Sequence, residues 1–177
     1  EIQLDTIHPA SNGLSGGSIN CKNANVIIGF LNGLPTGVSV IWNQSGETTD
    51  SIEVVTAGKY TGKLTGKNGC STDFEIMVNE DFKPPVFSTK SDTIDCIKSK
   101  TDLQVLGNEG YDNVIWMGPD GTVFAGQSVK VDKPGLYKVL VTGENGCTST
   151  DSARVESNFD LPQIMVSDSF YLPCDGT

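Results

Sequence analysis

Five cysteines, Cys21, Cys70, Cys96, Cys147 and Cys174, are the residues of this 177-residue chain best equipped for chemistry. A thiol can bind metal, attack an electrophile or close a disulfide. There is no Cys-x-x-Cys spacing, and His8 is the only histidine, so neither a zinc set nor a Cys–His pair can be assembled from sequence. Two readings stay open: a disulfide framework, or buried free thiols. Disulfides would place the protein in an oxidising compartment, outside the cytosol.

Carboxylates are the other abundant reactive groups, with 22 Asp and Glu against 12 Lys and Arg and a net charge of −10. Any two could be posed as an acid/base couple, but no nucleophile elbow, phosphate loop or dinucleotide fingerprint accompanies them. Asp73 and Asp151 follow equivalent Asn-Gly-Cys segments and read as turn-stabilising side chains. His8 reads as solvated. The expectation is therefore no enzyme and no cofactor. Acidic clusters at Asn79, Glu80 and Asp81 and at Glu156, Asn158 and Asp160 are the only places where linker calcium could be held, and neither forms a contiguous calcium loop. A nucleic-acid backbone would be repelled by this charge. No apolar run approaches the ~18 residues of a membrane span.

The elements that carry these groups are written twice. Val40-Ile41-Trp42 returns as Val114-Ile115-Trp116, Gly58-Lys59-Tyr60 as Gly135-Leu136-Tyr137, and Asn68-Gly69-Cys70 as Asn145-Gly146-Cys147. Cys21 returns at Cys96 and again at Cys174. The period, about 75 residues, is that of one small β-domain. The repeat divides the chain into the tail of a preceding unit (1–8), a first repeat (9–82), a second (83–159) and the start of a third (160–177). The chain then reads as a window on a longer array. Polar and apolar residues alternate in Val26-Ile28-Phe30, Val38-Val40-Trp42, Phe74-Ile76-Val78 and Tyr137-Val139-Val141, which is the pattern of half-buried strands. Asn-Gly, Ser-Gly and Asp-Gly pairs mark the turns between them. No amphipathic helix is visible. Each repeat is expected to be an antiparallel β-sandwich of six or seven strands. Phe82-Lys83-Pro84-Pro85 and Phe159-Asp160-Leu161-Pro162 are short linkers stiffened by proline.

Within each repeat the order is Cys, Trp, Cys: Cys21, Trp42, Cys70 and Cys96, Trp116, Cys147. That is an immunoglobulin-like order. Trp42 and Trp116 are expected in the core, and Tyr60 and Tyr137 at the corner entering the sixth strand. Pairing is expected inside each repeat, Cys21 with Cys70 and Cys96 with Cys147, leaving Cys174 single. The second cysteine of each pair lies ten residues after the tyrosine, at a turn, so each bridge would staple a loop end of its sandwich.

The combination Trp, Gly-x-Tyr and Asn-Gly-Cys followed by Asp resembles the Ig-like repeats of giant Bacteroidota surface proteins, among them the SprB-type gliding-motility adhesins exported by the type IX system. The matching residues are Trp42, Gly58, Tyr60, Asn68, Gly69, Cys70 and Asp73, with Trp116, Gly135, Tyr137, Asn145, Gly146, Cys147 and Asp151 in the second repeat. The Pro-Tyr segment common before the tryptophan in those repeats is replaced by Pro35-Thr36-Gly37 and Gly110-Tyr111-Asp112. The resemblance implies tandem all-β Ig-like sandwiches and an extracellular, cell-surface setting. It implies a stalk or spacer segment of a repeat-built adhesin or filament, related to gliding motility. Neighbouring repeats would be its first partners, with surface glycans or other cell-surface proteins beyond them. Two alternatives remain: a carbohydrate- or protein-binding accessory module, and a strand-donating subunit of a polymer. The same resemblance implies O-glycosylation at Asp-Ser/Thr sites, here Thr6, Ser51, Thr93 and Ser152, which requires all four hydroxyls to face solvent.

Overall fold

A computed structural model describes residues 5–107 and 110–159. Strands alone supply its regular structure, and they build two sandwiches with separate hydrophobic cores.

The first sandwich comprises β1 (Leu14–Ser15), β2 (Gly17–Asn20), β3 (Val26–Phe30), β4 (Ser39–Trp42), β5 (Ser51–Val54), β6 (Gly58–Thr65) and β7 (Ser71–Asp81). One sheet has the order β1-β3-β5 and the other β2-β7-β6-β4. The alternation noted in sequence is the alternation of burial. Val40 and Trp42 on β4, and Phe74, Ile76 and Val78 on β7, point inward, while Ile41, Glu75 and Met77 face solvent. Trp42 is fully buried, its indole N–H donates to the Thr49 carbonyl at 2.9 Å, and its ring meets Phe74 edge-on at 5.1 Å. The edge-on approach sets the positive rim of one ring against the negative face of the other.

The second sandwich comprises β8 (Ser88–Lys90), β9 (Ile94–Asp95), β10 (Thr101–Leu106), β11 (Tyr111–Met117), β12 (Val123–Ala125), β13 (Ser128–Val131), β14 (Gly135–Gly143), β15 (Thr148–Val155) and β16 (Ser157–Asn158). Its sheets are β13-β10-β8 and β12-β11-β14-β15, with β9 and β16 pairing at one end. Trp116 occupies the place of Trp42, equally buried, and donates to the Gly126 carbonyl at 3.2 Å. Tyr137 is buried and its hydroxyl donates to the Lys133 carbonyl at 2.9 Å. The Tyr60 hydroxyl donates to the Thr56 carbonyl at 2.8 Å, although its ring is only half-buried. Both are tyrosine corners, reaching back four residues as the chain turns into β6 and β14.

The pairing is antiparallel except at two places. β2 runs parallel to β7, with Asn20 opposite Asp81, and β9 runs parallel to β16, with Asp95 opposite Asn158. In each repeat the first strand therefore switches sheets and travels alongside the last. This departure from a purely antiparallel plan decides where the cysteines go.

Candidate functional site: the joint between the repeats

β7 begins at Ser71, next to Cys70, and ends at Asp81. Because β2 lies parallel to it and in register to its end, Cys21 emerges beside Asp81, at the opposite pole of the sandwich from Cys70. An eleven-residue strand separates the two poles by about 30 Å. A disulfide needs Cα atoms within about 7 Å, so Cys21 cannot reach Cys70. The second repeat repeats the arrangement: Cys147 precedes β15, and Cys96 follows β9 at the other pole.

The observed bridge is Cys21–Cys147, with Cα atoms 5.0 Å apart and a sequence separation of 126. It joins the lower pole of the first sandwich to the upper pole of the second. The expected pairs Cys21–Cys70 and Cys96–Cys147 are thus both incorrect. Cys70 is a half-buried free thiol and Cys96 an exposed one. Cys174 lies outside the described residues, as do 1–4 and 160–177 of the expected flanking units.

Both halves of the bridge are set by local hydrogen bonds. The turn carrying Cys21 is closed by Asn20, whose side-chain oxygen accepts from the backbone N–H of Lys22 (3.0 Å) and Asn23 (2.7 Å). The turn carrying Cys147 is closed by Asn145, whose Oδ1 accepts from the Cys147 N–H at 3.0 Å. These are Asx turns, in which a short polar side chain imitates a backbone carbonyl. Gly146 sits between them at φ +79°, and a Cβ there would lie 2.8 Å from the Lys22 backbone nitrogen. Only glycine allows both the left-handed turn and that approach. Beside the disulfide, the Lys22 N–H donates to the Asn145 carbonyl at 3.0 Å.

Asn145 has a second task that sequence reading missed. Its Nδ2 donates to the carbonyls of Asp81 (3.2 Å) and Lys83 (2.9 Å), so the turn of the second repeat grips the linker that leads into it. Asn68 does the same to the segment before the first repeat, donating to Asp5 (3.3 Å) and Ile7 (2.8 Å). His8 joins this grip through Nδ1 and the Ser71 carbonyl at 2.8 Å. The signal available in sequence was the recurrence of Asn with Gly-Cys. A hairpin turn alone would explain Asn-Gly, so the second role was invisible.

A polar cleft of about 570 Å³ opens at the joint, lined by Glu80, Asp81, Lys83, Pro85, Glu144 and Asn145. It takes in Glu80 and Asp81 of the first of the two acidic clusters considered for calcium; Asp160 of the second lies outside the described residues. Among the described residues no group of three His, Cys, Asp or Glu is placed to hold a metal ion. Asp73 pairs loosely with Lys63 at 3.6 Å, and Asp151 accepts from the next backbone N–H at 2.7 Å. No described helix is long and apolar enough to cross a membrane.

Of the four Asp-Ser/Thr sites, Thr6 and Ser152 are exposed, whereas Ser51 and Thr93 are half-buried. Ser51 also spends its hydroxyl on Asp50 Oδ1 at 3.3 Å. The expectation that all four face solvent is thus met in full at Thr6 and Ser152 and in part at Ser51 and Thr93, which stand next to the buried Ile52 and Ile94.

No family model matches the chain, and no curated protein matches it. Solved structures do. The amphioxus IgVJ-C2 molecule shares 13% identity over 78% of this chain and 99% of its own, with a TM-score of 0.39. The two-domain IG1+IG2 fragment of DIP-gamma shares 11% over 83% of this chain and 95% of its own, with a TM-score of 0.43. Murine CEACAM1b shares 14% over 81% of this chain and 96% of its own, with a TM-score of 0.36. All are similar to it as Ig-like sandwiches. The sheet orders, the buried tryptophans and the tyrosine corners make this chain an all-β, tandem immunoglobulin-like protein.

Proposed function

We propose that this chain is a stalk segment of a long, exported, repeat-built surface adhesin, whose repeats hold a binding tip away from the cell. The observation that carries this reading is the Cys21–Cys147 bridge across the joint. A covalent bond between two domains adds nothing to a catalytic site, but it fixes the angle and spacing of neighbours, which is what a spacer requires. The bridge also suits an extracellular setting. Exposed aromatics on a sheet face would favour a carbohydrate-binding module. Among the described residues the exposed aromatic apolar side chains are Phe82 and Phe159, both in linkers. Sugar on Thr6 and Ser152 belongs to the same proposal, since a glycan on β15 hydrates an exposed strand and shields its edge, and one on Thr6 hydrates the exposed segment before the first sandwich.

One observation favours protein binding as a second reading. Ile115, Met117 and Leu140 form a shallow apolar patch on the outer face of the β12-β11-β14-β15 sheet, bordered by Lys138, Asp151 and Ser152. The strand-donation reading turns on the termini, outside the described residues.

Two measurements test the spacer reading. Small-angle scattering of the oxidised chain is expected to give one extended particle, and reduction to broaden its distance distribution. Screening the folded chain against glycan and surface-protein arrays is expected to give no binding. Saturable binding abolished by Met117→Lys would replace the spacer with the binding module.

A further inference from the structure

Cys70 and Cys96 are the two halves of the Cys21–Cys147 joint, each without its counterpart. The turn around Cys96 is built like the turn around Cys21. Asp95 Oδ1 accepts from the Ile97 N–H (2.8 Å) and the Lys98 N–H (2.6 Å), and the Asp95 N–H donates to the Lys98 carbonyl. Asn20 makes the same three bonds around Cys21. The turn around Cys70 is built like the turn around Cys147. Gly66 and Gly69 bond as Gly143 and Gly146 do, and Asn68 Oδ1 accepts from the Cys70 N–H at 3.0 Å. The two copies differ in what covers them. A Cβ on Gly146 would strike Lys22, whereas a Cβ on Gly69, at φ +83°, meets nothing within 4 Å. Among the described residues, the surface that receives a cysteine turn is thus formed and occupied at Cys147, and formed and open at Cys70.

We propose that Cys96 is the site of a disulfide to the Asn-Gly-Cys turn of the following repeat of the same kind, and Cys70 to the cysteine turn of the preceding one, so that a ladder of inter-repeat bridges runs along the array. The inference rests on the array reading for the presence of further repeats, not on adhesion. Each bridge forms by exchange with an external disulfide, such as oxidised glutathione or a thiol–disulfide oxidoreductase. One cysteine thiolate attacks that disulfide and expels one thiolate. The partner cysteine's thiolate then displaces the second, leaving the protein disulfide and two reduced thiols. The occupant is specified by geometry: a turn with its cysteine one residue after an Asx side chain, followed by a backbone N–H that reaches the Asn68 carbonyl while still shared with the Asx oxygen, as the Lys22 N–H is shared between Asn20 Oδ1 and the Asn145 carbonyl.

The test adds one repeat. Residues 1–159 are followed directly by 83–177, joining Phe159 to Lys83 as Phe82 joins it in the native chain, and the added copy carries Cys96→Ser so that a bridge from Cys96 can start only in the original repeat. Peptide mapping without reduction, after refolding in oxidised and reduced glutathione, is expected to recover Cys21–Cys147 together with Cys96 linked to the Cys147 of the added repeat. A free Cys96, or Cys96 bonded to Cys70, would overturn the ladder. A second measurement uses the unextended chain. A synthetic peptide spanning residues 92–99, carrying Cys96 as a thiopyridyl disulfide, is expected to label half-buried Cys70 about tenfold faster than exposed Cys96, since docking outweighs access. Labelling at Cys96 as fast as at Cys70 would mean that the open turn has no recognition of its own. Either failure leaves the spacer reading standing on scattering and binding, so the two are separable.

Discussion

Trp42 and Trp116 each fill the centre of a core whose other members are mostly valine, isoleucine and leucine. Each also ties its indole N–H to a carbonyl, so the polar end costs nothing on burial. Truncating either to alanine is expected to cost about 3–5 kcal/mol, most or all of the stability of so small a domain. Two-step thermal unfolding of each variant, with one step lost, is the check. Thr101 is the opposite case. It is the buried polar residue of the described core, and its hydroxyl has no hydrogen-bond partner among the described residues. Replacing it with the isosteric valine removes an unpaired polar group and is expected to stabilise the second sandwich by about 1–2 kcal/mol in urea denaturation.

At the element scale, the turns decide more than the strands. Asn145→Asp keeps the oxygen that closes the Cys147 turn and loses the N–H pair that grips the linker. Amide hydrogen exchange at Asp81, Phe82 and Lys83 is expected to rise about tenfold, the equivalent of ~1.4 kcal/mol, while protection of β14 and β15 is unchanged. Loss of protection throughout the hairpin would show that the two tasks are inseparable. The turn between β11 and β12 carries a different device. The Lys133 ammonium, with the hydroxyl and N–H of Thr122, hydrogen-bonds the Asp120 carboxylate and holds it well below the usual carboxylate range. A depressed folded-state pKa contributes stability above the unfolded value, near 4, that is lost as pH falls through the folded one. The first sandwich has no equivalent pair at its own β4–β5 connection among the described residues. Acid titration followed by calorimetry is therefore expected to lower the melting temperature of the second sandwich between pH 4 and below, and Asp120→Asn to flatten that dependence.

For the whole molecule, the bridge encloses nearly everything. Both tryptophans, both tyrosine corners and all but the outermost strands lie between Cys21 and Cys147. In the chain-entropy account, closing a loop with a sequence separation of 126 removes about 5 kcal/mol worth of unfolded-state freedom. A force applied at the two ends would load β1, β2, β15 and β16 and then pass through the disulfide, sparing everything between Cys21 and Cys147. Single-molecule pulling is expected to release only the segments outside the loop until reductant is added, when about 40 nm of further contour becomes available. Full extension of both domains without reductant would show that the staple does not form.

The strands, the two cores, the tyrosine corners and the Ig-like plan were legible in sequence, because each rests on local patterning: period-two burial, glycine at left-handed turns and a repeat that states everything twice. Trp42 and Trp116 could be placed from neighbours within a few residues. The cysteine pairing could not. Which pole a cysteine occupies depends on whether the first strand runs parallel or antiparallel to the last, and on how far its register carries it, neither of which leaves a trace in the spacing between Cys21 and Cys70. Two equal repeats also make pairing within a unit and pairing between units indistinguishable by count. Asn145 illustrates the same limit, since its turn is a property of four consecutive residues, whereas its grip on Asp81 and Lys83 exists only once two folded domains meet. Sequence determined what each repeat is, through contacts that local periodicity encodes; tertiary structure alone decided how the repeats are joined, because that depends on which ends of the sandwiches face each other in space.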